Sequence, residues 1–138
     1  MKQIGIGLAG FGTVGAGVFK HLAQNRDLLS QRLGLELAVR RIAVRDTKKT
    51  RDVKAPAEIF TARWQDVVDD PQVQIVVELM GGIEEARQLI VRAIGAGKTV
   101  VTGNKALLAE HGKELFDLAT ARKVPIFFEA AEIGRAHV

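Results

Sequence analysis

Residues 4–15 of the 138-residue chain read IGIGLAGFGTVG, a pattern typical of a strand, a glycine loop and the start of a helix. The apolar run Ile4–Ala9 is bounded by glycine and predicts a short buried strand. The G-x-G-x-x-G pattern of Gly10–Gly15 follows directly and opens the next predicted helix. Here Gly10 permits a tight turn, Gly12 lets the backbone approach a pyrophosphate, and Gly15 lets the helix pack closely on the strand. We therefore predict a dinucleotide site at this loop; the alternative is a glycine-rich turn that binds no ligand.

The rest of the chain alternates strand-like and helix-like segments. Apolar runs predict further strands at 35–44, 75–80, 99–102 and 124–129, and helical spacing predicts helices at 13–33, 62–68, 84–96 and 106–123. Strands separated by helices indicate right-handed βαβ units and a parallel sheet. The predicted fold class is α/β, a Rossmann-type doubly wound parallel sheet of about five strands with flanking helices. These strands are too few to close an eight-stranded barrel.

Composition narrows the class of protein further. The chain has no cysteine, which excludes disulfides, thiolate metal sites and a cysteine nucleophile. The net charge of +4 is spread along the chain and is not interleaved with aromatic residues, so we expect no nucleic-acid partner. Glycines interrupt the N-terminal apolar run, and no apolar stretch approaches the length of a membrane helix. We expect a soluble, cytoplasmic protein of one domain that binds no membrane.

The end of the second predicted strand bears on which dinucleotide is bound. A carboxylate at this position usually accepts hydrogen bonds from the adenosine ribose. This chain has Arg45 there, followed by Asp46 and by three further basic residues, Lys48, Lys49 and Arg51. Arginine with nearby lysines suits a 2′-phosphate and favours NADP, whereas Asp46 favours NAD. A solvated basic loop without a ligand is the third interpretation.

Three longer segments resemble homoserine dehydrogenases. Residues 7–15 read GLAGFGTVG and are similar to the opening of that family. Residues 70–82, DPQVQIVVELMGG, resemble the family pattern D-P-x-x-D-I-V-V-E-L-x-G-G, with Gln74 in place of the second acid. Residues 96–109, AGKTVVTGNKALLA, resemble A-G-K-x-V-V-T-A-N-K-A-L-L-A, with Gly103 in place of alanine. The segment Phe128–Ala131 matches the start of a further family segment, so the resemblance covers residues 4–131.

The resemblance implies an oxidoreductase that interconverts L-homoserine and L-aspartate 4-semialdehyde with NAD(P)(H), in threonine and methionine biosynthesis. It implies one residue assigned to catalysis, Lys105. Together with the glycine loop, it gives a set of expected cofactor-binding residues: Gly10, Phe11, Gly12, Thr13, Val14, Gly15, Arg45, Thr102 and Lys105. Relatives also bind a monovalent cation near the position of Glu129, but we predict no bound metal here, because the later positions of that site do not match.

The resemblance ends at residue 131. We therefore expect residues 1–131 to form the NAD(P)-binding domain, residues 132–138 to be an aberrant or truncated tail, and the catalytic and dimerisation domain to be absent. This chain alone is expected to bind the dinucleotide without catalysis, whereas the full-length form would bind the small-molecule substrate and form a homo-oligomer.

Some interpretations stay open from the sequence alone. A non-catalytic NAD(P)-binding sensor or regulatory module would carry the same glycine loop, although it has no need for the lysine in 102–109. Glu78 could contact a ligand near the nicotinamide, or it could be satisfied by backbone N–H groups of the turn at 81–82. Trp64 is expected to pack a small helix against the sheet, with a place beside the adenine as the alternative.

Overall fold

The sheet has six strands, all parallel, in the order β3-β2-β1-β4-β5-β6. The computed structural model describes residues 2–10, 12–47 and 55–128, with only the backbone described at Thr13. The strands are β1 (Lys2–Ala9), β2 (Leu35–Ala43), β3 (Phe60–Thr61), β4 (Ile75–Glu78), β5 (Thr99–Thr102) and β6 (Ile126–Phe128). The helices are α1 (Thr13–Gln24), α2 (Arg26–Leu33), α3 (Trp64–Asp69), α4 (Glu84–Gly95) and α5 (Lys105–Arg122), and a 3₁₀ turn covers Ala57–Ile59.

Apolar side chains cover both faces of this sheet. On one face, Ile6, Leu8 and Ile42 are buried against side chains of α1, among them Val18 and Leu22. On the other face, a larger cluster joins β1, β4 and β5 to α3, α4 and α5. Helices on both faces of a parallel sheet make the doubly wound α/β architecture, which confirms the predicted fold class.

The strand order places a ligand-binding edge. The chain runs outward from β1 through β2 to β3 and then returns to pair β4 against the other side of β1. The connections leaving β1 and β4 therefore diverge to opposite sides. In open α/β sheets, ligands bind at the carboxyl ends of the strands where this divergence occurs. Here that point lies between the loop beginning at Gly10 and the loop beginning at Leu79.

Apart from small differences in the bounds of the elements, the structure differs from the predicted series of helices and strands in two places. The helix predicted over 13–33 is divided at Asn25, where the backbone leaves the helical region (φ −109°, ψ 18°) and the side-chain amide donates to the His21 carbonyl at 2.9 Å. Asparagine side chains compete with helical hydrogen bonding in this way. The short strand β3 (Phe60–Thr61) was not predicted. It consists of two residues that pair with Ile42 and Ala43, and two residues are too few to show a periodic pattern of apolar side chains. Among the residues described, no helix is long and apolar enough to cross a membrane.

Candidate dinucleotide-binding site

The turn after β1 requires glycine at its first position. Gly10 has a φ of 110°, in the left-handed region that L side chains rarely adopt. Its N–H donates to the Ala43 carbonyl at 3.0 Å, and a Cβ built on it would lie 2.7 Å from the Leu79 carbonyl oxygen. The turn is thus held between the ends of β2 and β4, and any side chain at Gly10 would displace it.

The two later glycines of the loop differ in what they meet. A Cβ at Gly15 would lie 2.7 Å from the Gly10 carbonyl oxygen, so α1 sits too close to the loop for a side chain there. Among the described residues, a Cβ at Gly12 would meet nothing within 4 Å. Gly15 is therefore required by the packing of the domain. Gly12 is not, and it leaves open space in front of the helix.

That open space faces the first turn of α1. Gly12 is the N-cap of this 12-residue helix, and no described side chain caps its backbone N–H groups. The start of a helix carries unpaired N–H donors and a partial positive charge, which together favour an anion. Val14 is 66% exposed on this turn. Of the other predicted contacts here, Phe11 lies outside the described residues and the side chain of Thr13 is not described.

A groove of about 500 Å³ begins at this turn and crosses the carboxyl ends of β1, β2 and β4. Its volume is in the range of sites for small molecules and cofactors. The groove contains the first and third residues of the glycine loop together with the ends of β2 and β4. Its lining residues are Gly10, Gly12, Ala43, Val44, Arg45, Asp46, Ala62, Trp64, Leu79, Met80, Gly81 and Glu85.

The end of the groove next to β2 contains both residues from which the preference for NADP or NAD was predicted. Arg45 and Asp46 are exposed and line the groove side by side, so the geometry brings together the feature favouring NADP and the feature favouring NAD. Lys48, Lys49 and Arg51 lie outside the described residues. Trp64 lines the same end and also packs against the larger core cluster. The predicted packing role of Trp64 is therefore confirmed, and its ring also forms part of the groove.

The carboxyl ends of β4 and β5 carry a buried polar pair beside the groove. Glu78 and Thr102 are opposite each other in register, and each is 1% exposed. The Thr102 hydroxyl donates to Glu78 Oε1 at 2.6 Å and accepts from the Asn104 N–H at 3.1 Å. Burial raises the pKa of Glu78, and the bond from Thr102 opposes this to a smaller extent. Glu78 Oε2 is buried and makes no hydrogen bond of good geometry with any described residue, although weaker bonds from the Met80 backbone N–H and the Asn104 side chain also oppose the rise in the pKa of Glu78.

The pair adjoins the start of α5, where Lys105 is located. Asn104 caps α5, since its Oδ1 accepts from the Leu107 N–H at 3.0 Å, and its Nδ2 donates to the Gly82 carbonyl at 2.7 Å. Lys105 is the first helical residue and is exposed. Thr102 and Lys105 thus lie at the same sheet edge as the groove without lining it. Because the Thr102 hydroxyl is engaged with Glu78, a direct contact of Thr102 with a cofactor would have to use its main chain.

The predicted site residues are therefore distributed over two places. Gly10, Gly12 and Arg45 line the groove, whereas Thr102 and Lys105 flank it: Thr102 ends β5, two strands from β1, and Lys105 begins the helix that follows. Glu129 lies outside the described residues, and among the residues that are described no three His, Cys, Asp or Glu side chains are grouped to hold a metal ion. The link between Glu78 and Thr102 was not predicted. Only the facing positions of the two strands could have indicated it.

Comparison with known proteins identifies relatives along nearly the whole chain. Residues 10–129 match the family described as homoserine dehydrogenase, NAD binding domain. The homoserine dehydrogenase of Bacillus subtilis is 41% identical over 97% of this chain, which spans 31% of that protein's length.

Solved structures of homoserine dehydrogenases are also similar. The S. aureus enzyme superposes with a TM-score of 0.86 at 38% identity, over 94% of this chain and 34% of that one. A hyperthermophilic archaeal homoserine dehydrogenase in complex with NADPH gives a TM-score of 0.72 at 26% identity, over 93% of this chain and 44% of that one.

Proposed function

The chain belongs to the homoserine dehydrogenase family, through its NAD-binding domain, and from this premise we propose that it binds NADP(H) in the groove at the carboxyl edge of its sheet. The proposal extends to the whole protein of which this sequence is the nucleotide-binding part. That protein interconverts L-homoserine and L-aspartate 4-semialdehyde in the cytoplasm, in threonine and methionine biosynthesis, as a homo-oligomer.

The observation that carries the proposal is the open space at Gly12. The packing of the described residues does not need glycine there, because a Cβ would meet none of them within 4 Å. A pyrophosphate does need it, since its oxygens must come close to the backbone N–H groups at the start of α1. The adenosine half of the dinucleotide would then extend towards Arg45 and Trp64, and the nicotinamide half towards the β4 and β5 ends.

Preference for NADP rests on Arg45. Its guanidinium can make forked hydrogen bonds to a 2′-phosphate, whereas Asp46 would repel the same group. The archaeal relative in complex with NADPH is consistent with this preference. We propose that Arg45, with the basic residues that follow it, outweighs Asp46.

Titration calorimetry with NADP⁺ and NAD⁺ tests this preference. Loss of a charge-assisted hydrogen bond costs about 1.5–3 kcal/mol, so Arg45→Ala should weaken NADP⁺ binding by at least about tenfold and leave NAD⁺ binding almost unchanged. The matched control is Arg32→Ala, which removes the same charge from an exposed position in α2, away from the groove. Tighter binding of NAD⁺ that Arg45→Ala leaves unchanged would refute the preference for NADP.

Trp64 supplies a second measurement of the same binding. It is the only tryptophan of the sequence and it lines the adenosine end of the groove. Aromatic rings stack on adenine, and such contact changes tryptophan fluorescence. We expect saturable quenching by NADP⁺, with the dissociation constant that calorimetry gives.

At the other end of the dinucleotide, we propose that Lys105 acts in catalysis in the full-length enzyme. Bound nicotinamide supplies the hydride acceptor or donor. The Lys105 ammonium, at the exposed start of α5, would stabilise or transfer charge at the substrate oxygen as the C–H bond is broken or formed. We propose that the groups that seat the amino and carboxylate ends of homoserine belong to the part of the relatives that this chain does not span.

A further inference from the structure

Glu78 is an ionisable residue in a place where such residues are rarely found. It ends the short strand β4, it is 1% exposed, and its strand neighbours Val76 and Val77 are apolar. One carboxyl oxygen accepts from Thr102 at 2.6 Å, and the other makes no hydrogen bond of good geometry within the described chain, with only weaker bonds from the Met80 backbone N–H and the Asn104 side chain to the carboxyl group. A residue that served only the stability of the fold would be better replaced by an apolar one of similar size, since burying a half-satisfied polar group costs free energy.

The main described partner of Glu78 is the side chain of Thr102, which donates a hydrogen bond to it. The hydroxyl of a buried threonine needs an acceptor, and Glu78 Oε1 provides one at 2.6 Å on the neighbouring strand. With the hydroxyl oriented in this way, its oxygen faces the Asn104 N–H and accepts from it at 3.1 Å. The Thr102 side chain therefore links Glu78 to the turn that leaves β5.

The same turn sets where α5 begins. Asn104 caps the helix through the Leu107 N–H and is tied to the β4–α4 loop through the Gly82 carbonyl. The hydrogen bonds run without interruption from Glu78 through Thr102 to Asn104, and Lys105 follows as the first residue of the helix. A side-chain network of this kind fixes a backbone better than its separate bonds would.

We infer that Glu78 is a positioning residue: through Thr102 and Asn104 it fixes the turn that presents Lys105 and the Thr102 main chain to the nicotinamide half of the dinucleotide. This inference rests on the proposed function for the identity of the ligand. The hydrogen-bond network itself does not depend on it. Neither Glu78 nor Thr102 lines the groove at the adenosine end, so the inferred effect is confined to one half of the ligand.

The test compares a double variant with a conservative one. Glu78→Leu combined with Thr102→Val replaces both partners by apolar residues of similar size, so the domain should stay folded. Glu78→Gln keeps an oxygen that can accept from Thr102. If the double variant does not fold, Glu78→Met combined with Thr102→Val again replaces both partners, with a more flexible apolar side chain in the place of the carboxyl group, and gives the same comparison.

Hydrogen exchange of the chain without ligand is the first measurement. In the double variant, the amides of Leu107 and Leu108 should exchange at least about tenfold faster, because both bond to Asn104, whereas Leu115 and Ala119 further along the same helix should be unaffected. Glu78→Gln should keep the wild-type rates. Unchanged exchange at Leu107 and Leu108 in the double variant would overturn the inference, whether or not the chain binds a dinucleotide.

Binding is the second measurement, with NADP⁺ and with adenosine 2′,5′-bisphosphate, which carries only the adenosine half. The double variant should bind NADP⁺ roughly tenfold more weakly than wild type does, and it should bind the bisphosphate with wild-type affinity. The variant Glu78→Gln should bind both ligands with wild-type affinity. Equal losses for both ligands, or a loss for neither, would overturn the positioning role. If wild type binds neither ligand, the proposed function fails, and the exchange measurement still decides whether Glu78 fixes the turn.

Discussion

Replacing Gly12 by valine should separate ligand binding from folding. The backbone at Gly12, with φ −71° and ψ −155°, is extended and open to any L residue. A Cβ there would meet no described residue within 4 Å, so the valine side chain would begin in open space. The expected loss of unfolding free energy is about 1 kcal/mol, because valine is a poorer N-cap than glycine.

The effect on binding should be much larger. The valine side chain would occupy the space through which a pyrophosphate reaches the first N–H groups of α1. Loss of two charge-assisted hydrogen bonds at about 1.5–3 kcal/mol each corresponds to at least roughly 100-fold weaker binding. Gly12→Val should therefore be folded and have almost no affinity for NADP⁺ or NAD⁺.

Two matched glycine variants make this result specific. Gly17→Ala places a methyl group in open space on the same helix and should leave NADP⁺ binding unchanged. Gly15→Val should instead destabilise the fold, since its Cβ would lie 2.7 Å from the Gly10 carbonyl oxygen. Circular dichroism and urea unfolding report folding, and calorimetry with Trp64 fluorescence reports binding. Wild-type affinity in folded Gly12→Val would show that the loop is a structural turn only.

Three further predictions concern stability, pH and activity. Gly17→Ala should raise the free energy of unfolding by about 0.5–1 kcal/mol, because glycine inside a helix is destabilising; urea unfolding would contradict this if the midpoint fell. Burial raises the pKa of Glu78 above its ordinary value of 4.5, so the native state holds a proton that the unfolded state releases. The stability of wild type relative to Glu78→Gln should therefore fall as pH rises from 4.5 through the native pKa, and a difference that grows with pH would refute that shift. The chain alone should not reduce NADP⁺ with homoserine, because a substrate must be held close to its reactive geometry and we propose that the groups that seat homoserine lie outside these residues. Fusion to the remaining region of the B. subtilis relative should give activity. In that fusion, Lys105→Ala should lower kcat more than it lowers the affinity for the cofactor. Homoserine-dependent NADPH formation by the chain alone, followed at its absorbance, would place a substrate site within these residues.

The sequence predicted those parts of the fold that depend on local pattern. Strand β5 has the predicted bounds, and the αL glycine at Gly34 ends α2 where a helix stop was expected. The glycine loop was correctly predicted to lie between β1 and α1, because the G-x-G-x-x-G spacing is typical of one backbone geometry that joins a strand to a helix. The break at Asn25 depends on one side chain capturing one carbonyl, and the two-residue strand β3 depends on pairing with β2. Neither leaves a periodic signal.

The site was predictable only in part, for a related reason. Gly12 and Arg45 follow strand ends in the sequence, and parallel strands bring their carboxyl ends to one edge, so their meeting in one groove could be expected. The hydrogen bond between Glu78 and Thr102 joins residues 24 positions apart. It depends on the exact register of β4 against β5, which no local pattern specifies.

A map of the backbone amide and indole N–H chemical shifts during titration with NADP⁺ locates the ligand on the domain. We expect the largest changes at Gly12, Arg45 and the Trp64 indole, with saturation at one dinucleotide per chain. A second groove of about 600 Å³, lined in part by Phe19 and Arg40 between α1 and β2, provides the internal comparison and should not respond. Changes confined to that second groove, or no saturable change at all, would contradict the proposal that this domain binds a dinucleotide at its glycine loop.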